Sequence, residues 1–322
     1  MKRCLAAFLL SALFTLPLTA QALREIPRGP GFPVRFHDPS TPVREGGEWW
    51  VFATGVGISS RSSKDLKTWK EGPAVFRDFP AWHKEVVPSQ RGHLWAPEVV
   101  FYKGLYRIYY SVSSFGKNTS AIGLATSPSL DPAKSSTRWK DEGIVVRSNE
   151  RDPFNAIDPH IIIDDDDRHW MSFGSFWTGI QLIELDPKTG KAHPERKEIR
   201  RIAWNESIEA PAILKHGRGY FLFVNWGLCC RGLQSTYEIR VGRSRSITGP
   251  YLDKDGRDMA TGGGSLFLAS DGDLIGPGHA SFVTDRIDPL VFFHYYDRKH
   301  GGFATIGSHV LTWTKDGWPE TK

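Results

Sequence analysis

The sequence predicts an all-β fold, and within that class a five-bladed β-propeller with four-stranded blades around a central channel. Three observations lead there. The 322 residues include 32 Gly and 21 Pro, which punctuate short apolar runs and leave little helical periodicity. The aromatic load is heavy, with 12 Trp, 9 Tyr and 19 Phe, residues that favour strands. A weak repeat recurs five times, its key residues Asp38, Glu98, Asp158, Glu209 and His279 spaced by 60, 60, 51 and 70. The 40% apolar content excludes a disordered chain, and 3 Cys exclude a disulfide-stapled one. A net charge of +5, spread along the chain, does not indicate nucleic-acid binding.

The elements follow in order. Lys2 and Arg3 precede an apolar run from Leu5 to Leu18, and Ala20-Gln21-Ala22 offers a small-residue cleavage site. Residues 1–22 therefore read as a secretory signal peptide, too short in its apolar part for a membrane span. Residues 23–322 are expected to form one catalytic domain, secreted or periplasmic. Unit one opens at His37-Asp38-Pro39-Ser40 and continues through Trp49-Trp50-Val51-Phe52 to Ile58-Ser59-Ser60. Unit two opens at Ala96-Pro97-Glu98, followed by Tyr106–Tyr110 and Ala121–Ala125. Unit three has Ile157-Asp158-Pro159-His160, then Trp170–Phe173 and Ile180–Leu182. Unit four has Glu209-Ala210-Pro211, then Tyr220–Val224 and Ile239–Gly242. Unit five has Gly276-Pro277-Gly278-His279, then Leu290–Tyr295 and a C-terminal apolar stretch. Trp69 and Trp139 recur at matching outer-strand positions and read as scaffold, as do Trp49, Trp50 and Trp170. The acidic run Asp164–Asp167 reads as a solvated hairpin turn.

Inner strands of a propeller start at one mouth of the channel, so distant residues converge there. Three of the five starts carry carboxylates in a distinctive context: Asp38 in His-Asp-Pro, Asp158 in Asn-Ala-Ile-Asp-Pro-His and Glu209 in Ile-Glu-Ala-Pro. Acids around a pit suit glycoside hydrolysis, in which one carboxylate activates water and one carboxylic acid protonates the leaving oxygen. Burial and like charge separate their pKa values. These residues alone leave the roles unassigned, with Glu98 as a competing carboxylate. Cys229 and Cys230 are adjacent and form either a vicinal disulfide or two thiols. The chain has no HExxH metal motif, no nucleophile elbow and no phosphate loop at Gly262-Gly263-Gly264.

The ordered set of motifs resembles the secreted endo-α-1,5-L-arabinanases of glycoside hydrolase family 43 over nearly the whole mature chain. It comprises His37-Asp38-Pro39-Ser40, Leu94-Trp95-Ala96-Pro97-Glu98-Val99, Asn155-Ala156-Ile157-Asp158-Pro159-His160, Gly174-Ser175-Phe176-Trp177, Ile208-Glu209-Ala210-Pro211, Cys229-Cys230-Arg231-Gly232 and Gly276-Pro277-Gly278-His279. The resemblance implies inverting hydrolysis, with Asp38 as general base, Glu209 as general acid and Asp158 as pKa modulator. It places Trp95, not Glu98, at the sugar, and implies a structural role for Glu98. Phe115 or Trp95 is expected to stack on an arabinofuranose face. Asn155 and Ser175 are expected to bond sugar hydroxyls, and the backbone of Gly116, Ala156, Ile157 and Phe176 to border the substrate. Trp177 is a further cleft candidate. His279 is expected either to approach a channel ion, often calcium, with water completing the shell, or to be a buried hydrogen-bonded histidine. No organic cofactor is implied. The expected partner is arabinan or an arabino-oligosaccharide, with no nucleic acid, no membrane after leader removal, and action as a monomer. Competing readings are an exo-acting arabinanase or arabinofuranosidase of the same fold, and a non-catalytic sugar-binding propeller.

Overall fold

A computed structural model describes residues 32–134 and 138–322. The signal-peptide reading of residues 1–22 lies outside them. Pro33–Lys322 forms one unit built from five antiparallel sheets. The first blade is Val43–Glu45, Glu48–Ala53, Ser59–Ser63 and Lys70–Glu71. The second is His93–Tyr102, Leu105–Val112, Ser120–Ser127 and Lys140–Ser148. The third is His160–Ile163, His169–Phe173, Ile180–Leu185 and Arg200–Ala203. The fourth is Ile208–His216, Gly219–Trp226, Glu238–Ser244 and Ser265–Leu268. The fifth is Leu274–Val283, Leu290–Asp297, Phe303–Trp313 and Pro319–Thr321. One blade departs from four strands: Gly55–Val56 adds a short fifth strand to the second, opposite Leu94 and His93.

The core lies between blades, and this explains the continuous apolar runs. In Glu48–Ala53, alternate residues Trp49, Val51 and Ala53 pack toward the fifth blade with Val283 and Phe292. Trp50 and Phe52 point the other way, onto Val99, Ile108 and Tyr110 of the second blade. Tyr109, next to two residues facing the first blade, instead joins Met171 and Phe173 of the third. Burying one such aromatic stabilises by about 1.5–3 kcal/mol. The two recurring outer tryptophans couple the first and second blades to the blades before them. Trp139 meets Phe52 edge-on at 5.7 Å, and Trp69 meets Phe36 at 5.7 Å and Phe292 at 6.4 Å.

Closure of the ring was not legible in the repeat. Arg35 bridges to Thr305, the Phe36 N–H donates to the Ala304 carbonyl at 3.1 Å, and Thr305 Oγ1 donates to the Val34 carbonyl at 2.9 Å. The segment before the first blade thus pairs with the third strand of the last. The acidic run Asp164–Asp167 is the hairpin turn the sequence suggested, with Asp164 Oδ1 accepting from the Asp166 and Arg168 N–H groups.

Candidate active site

At the mouth, the start of each inner strand has one residue in the left-handed region: Asp38 (φ 51°), Ala96 (43°), Asp158 (58°), Ala210 (52°) and His279 (60°). For a residue with a Cβ this conformation costs about 1–2 kcal/mol. A repeated hydrogen bond holds it. The Ala96 N–H donates to Thr54 Oγ1, Asp158 to Ser111 Oγ, His279 to Asn225 Oδ1 and Asp38 to His294 Nδ1. Every acceptor sits on the second strand of the preceding blade, or just past its end. These bonds define the true register of the repeat. Asp38, Asp158 and His279 are equivalent, as the sequence suggested. The other two positions are Ala96 and Ala210, so Glu98 lies two residues late and Glu209 one residue early.

The exception is informative. The acceptor position in the third blade is Gly174, whose N–H pairs with the Ile157 carbonyl. A Cβ there would lie 2.5 Å from the Gly179 carbonyl oxygen, at a φ of 126°. No side chain fits, so Asp158 Oδ2 accepts the Ala210 N–H instead, at 3.2 Å. One catalytic candidate therefore anchors the backbone next to another.

Asp38 and Glu209 sit in opposed electrostatic settings. Asp38 Oδ2 takes the Thr54 hydroxyl at 2.5 Å and meets His37 Nδ1 at 2.8 Å. Burial alone would raise this carboxyl, but the charge and hydrogen bond of His37 hold it far below the usual carboxylate range. Burial likewise opposes charge on His37, yet Asp38 lifts the imidazole to about 10. Glu209 is buried; Oε2 accepts from Ser175 Oγ at 2.8 Å and Oε1 from the Tyr237 hydroxyl. Burial raises Glu209, against the pull of those two bonds. Asp158 is pushed well above its ordinary value by burial, then by the negative charges of Glu209 and Asp38. One carboxylate is held ionised beside two that are held toward the acid form, the division of labour that single-displacement hydrolysis of a glycoside needs.

The family model for glycosyl hydrolases family 43 matches residues 28–319. The chain belongs to that family. Among curated family relatives, it is 47% identical over 301 residues to the extracellular exo-α-(1→5)-L-arabinofuranosidase ArbA of Cellvibrio japonicus, covering 89% of this chain and 86% of that one. It is 41% identical over 288 residues to the extracellular endo-α-(1→5)-L-arabinanase 1 of Bacillus subtilis, covering 88% and 86%. The structure of the Cellvibrio cellulosa α-L-arabinanase complexed with arabinohexaose superposes with a TM-score of 0.86 at 44% identity, covering 90% of this chain and 96% of that one.

Around this family 43 centre the remaining sequence candidates divide. Trp95 and Phe115 pack together with ring centroids 5.1 Å apart, and Phe115 is 77% exposed. Trp177 is 42% exposed and its carbonyl accepts from Trp204 Nε1. Gly116 has open space where a side chain would stand. The other candidates turn inward. Asn155 Oδ1 accepts from Ser120 Oγ, and the N–H groups of Ala156 and Phe176 donate to Ser148 Oγ and the Ile208 carbonyl. The Ile157 N–H bonds the Asn155 carbonyl, and Ser175 bonds Glu209. Glu98 is buried, takes both the N–H and hydroxyl of Thr41 at 2.9 and 2.8 Å, and is lifted by burial to about 7. It ties the second blade to the first.

His37, Asp38 and His294 bring one donor atom each within 4.8 Å of one another, a group that could hold a metal ion. Its two nitrogens and one carboxylate do not suit calcium, which takes six to eight oxygens. Two of these side chains already pair, His37 Nδ1 with Asp38 Oδ2, and His294 Nδ1 accepts the backbone N–H of Asp38. His279 stands outside that trio, its Nδ1 3.6 Å from Asp38 Oδ1. Cys229 and Cys230 are free thiols, the second of the two alternatives. The sequence reading passed over Thr54, Ser111, Asn225, His294 and Tyr237 as site residues. A signal existed for the first four. Each lies just past an aromatic or apolar run, as in Tyr109-Tyr110-Ser111 and Phe292-Phe293-His294.

Proposed function

We propose that this enzyme is extracellular and hydrolyses α-1,5-linked L-arabinofuranosyl bonds of arabinan by single displacement with inversion. The observation that carries the chemistry is the split between ionised Asp38 and the raised pair Asp158 and Glu209. Asp38, kept anionic by His37, takes a proton from the attacking water. Glu209 gives its proton to the leaving oxygen as the glycosidic bond breaks. Asp158 and Glu209 are close enough in charge that both do not readily ionise, so a proton is retained for donation. The linkage rests on the two extracellular relatives, and substrate binding on the arabinohexaose complex. Trp95 with Phe115, and Trp177, supply exposed apolar faces for the sugar rings.

Endo attack is the reading from the motifs; exo attack is a second reading, supported by the 47% identity to an exo-acting relative. Product analysis over time on debranched arabinan tests both. Early mixed oligomers mark endo attack and a single small product marks exo attack. No reducing ends at all would overturn the assignment. Glu209→Ala and Asp38→Ala should each lose at least about a hundredfold in kcat. An activated leaving group should restore Glu209→Ala in part and leave Asp38→Ala inactive. Equal response of both variants would overturn the role split.

A further inference from the structure

Cys229 and Cys230 lie at the wall of the site, and the proposed reaction uses neither. Cys230 is exposed and Cys229 half-buried. Cys230 Sγ stands 3.7 Å from His37 Nε2, and its backbone N–H donates to the Tyr296 hydroxyl at 2.7 Å. That hydroxyl is also 2.9 Å from His37 Nε2. The opposite nitrogen of the same imidazole, Nδ1, meets Asp38 Oδ2 at 2.8 Å. One ring therefore joins the thiol pair to the group assigned as general base.

We propose that Cys229 and Cys230 form an oxidative-modification site that takes a small peroxide and closes to a vicinal disulfide, weakening hydrolysis through His37. Cys230, the sulfur an oxidant reaches first, attacks one oxygen of hydrogen peroxide. The O–O bond breaks, the displaced hydroxide takes the thiol proton and leaves as water, and a sulfenic acid remains. Cys229 Sγ then attacks the Cys230 sulfur. The S–O bond breaks, a second water leaves, and the S–S bond forms. The two sulfurs give up the electron pair that the peroxide gains. A ring closed by neighbouring cysteines is strained, so dithiothreitol reopens it readily. Closure turns the Cys230 sulfur toward Cys229 and away from the imidazole that holds Asp38.

The test starts from reduced, desalted enzyme treated with hydrogen peroxide, followed by thiol titration, intact mass and arabinan hydrolysis. Both thiols should disappear together, with loss of two hydrogens from the mass and a fall in kcat/KM of about threefold or more. Dithiothreitol should restore all three readings. In Cys229→Ser the reaction should stop at the sulfenic acid, one oxygen heavier and trapped by dimedone. Cys230→Ser should keep its remaining thiol under the same exposure. Persistent wild-type thiols, a wild-type gain of oxygen, or only intermolecular dimers would overturn the site. Closure with unchanged kcat/KM would overturn its coupling to Asp38. Mass and thiol readings need no substrate, so failure of this site is distinguishable from failure of the arabinan reading.

Discussion

A single hydroxyl and a single imidazole tune the two protonation states on which the proposed mechanism depends, the hydroxyl against the effect of burial. The Tyr237 hydroxyl bonds Glu209 and favours its ionised form. Tyr237→Phe removes that bond, so Glu209 rises further and the basic limb of the kcat/KM profile should move to higher pH. Lost orientation of the acid should lower kcat roughly tenfold, the equivalent of about 1.4 kcal/mol. An unmoved basic limb would show that Glu209 is not the titrating acid. His37 gives a stability test with the opposite sense. Its folded value, about 10, lies above the ordinary 6.5, so its contribution is complete below pH 6.5 and lost as pH rises through about 10. Asp38 is lowered, so its contribution is present above its ordinary 3.8 and is lost as pH falls through its depressed value. The stability gap between wild type and His37→Gln, followed by urea unfolding, should therefore be widest near pH 6 and narrow toward pH 10. A constant gap would remove the ion pair from the account. Asp38 and Asp158 were legible in sequence because Asp-Pro marks a strand start. Tyr237 was not, because it reaches Glu209 from the segment just before the strand Glu238–Ser244, and only the folded chain brings the two together.

Among elements, the bond from each inner-strand start to the preceding blade is what positions the carboxylates. Thr54 shows the arrangement most fully, since its hydroxyl donates to Asp38 and accepts from the Ala96 N–H. Thr54→Val keeps the shape and leaves a buried N–H unpaired, which should destabilise by about 1–3 kcal/mol in urea unfolding while also lowering activity. Asp158 separates the two effects. Asp158→Asn retains an oxygen for the Ala210 N–H, so the fold should stay near wild-type stability while the charge coupling to Glu209 is lost and kcat falls. Asp158→Ala should lose both. If Asp158→Asn unfolds as readily as Asp158→Ala, the backbone anchor is not what Asp158 supplies. The repeat itself was visible in the aromatic strands, because both faces of each strand are buried between blades. Its register was not. Spacing of charged residues aligned Glu98 and Glu209 with Asp38, whereas the equivalent residues are Ala96 and Ala210, recognisable only by backbone conformation.

Across the whole molecule, stability depends on closing the ring, because the core is divided into inter-blade layers and one of them joins the two ends of the chain. That layer holds Phe36, Trp49, Val51 and Trp69 against Val283 and Phe292, and the segment Val34–Phe36 pairs with Ala304 and Thr305 beside it. An interior layer, between the fourth and fifth blades, has a comparable tryptophan: Trp318, buried against Phe221 at 6.3 Å. Removing either indole deletes similar volume, and Trp→Ala in a core costs about 3–5 kcal/mol. The consequences should differ. Neighbouring blades on either side of Trp318 are also joined by continuous chain. The layer around Trp69 is held instead by non-covalent contacts alone: packing, the short N-terminal pairing and side-chain hydrogen bonds across the seam. Trp318→Ala should therefore lower the urea midpoint while fluorescence and far-ultraviolet circular dichroism still change together. Trp69→Ala should open the seam first, so fluorescence should change at lower urea than circular dichroism. Activity should follow the fluorescence, since Asp38 on the first blade is bonded to His294 on the fifth across that same seam. Coincident transitions in Trp69→Ala would mean that the ring unfolds as one unit and that its seam is no weaker than its other joints.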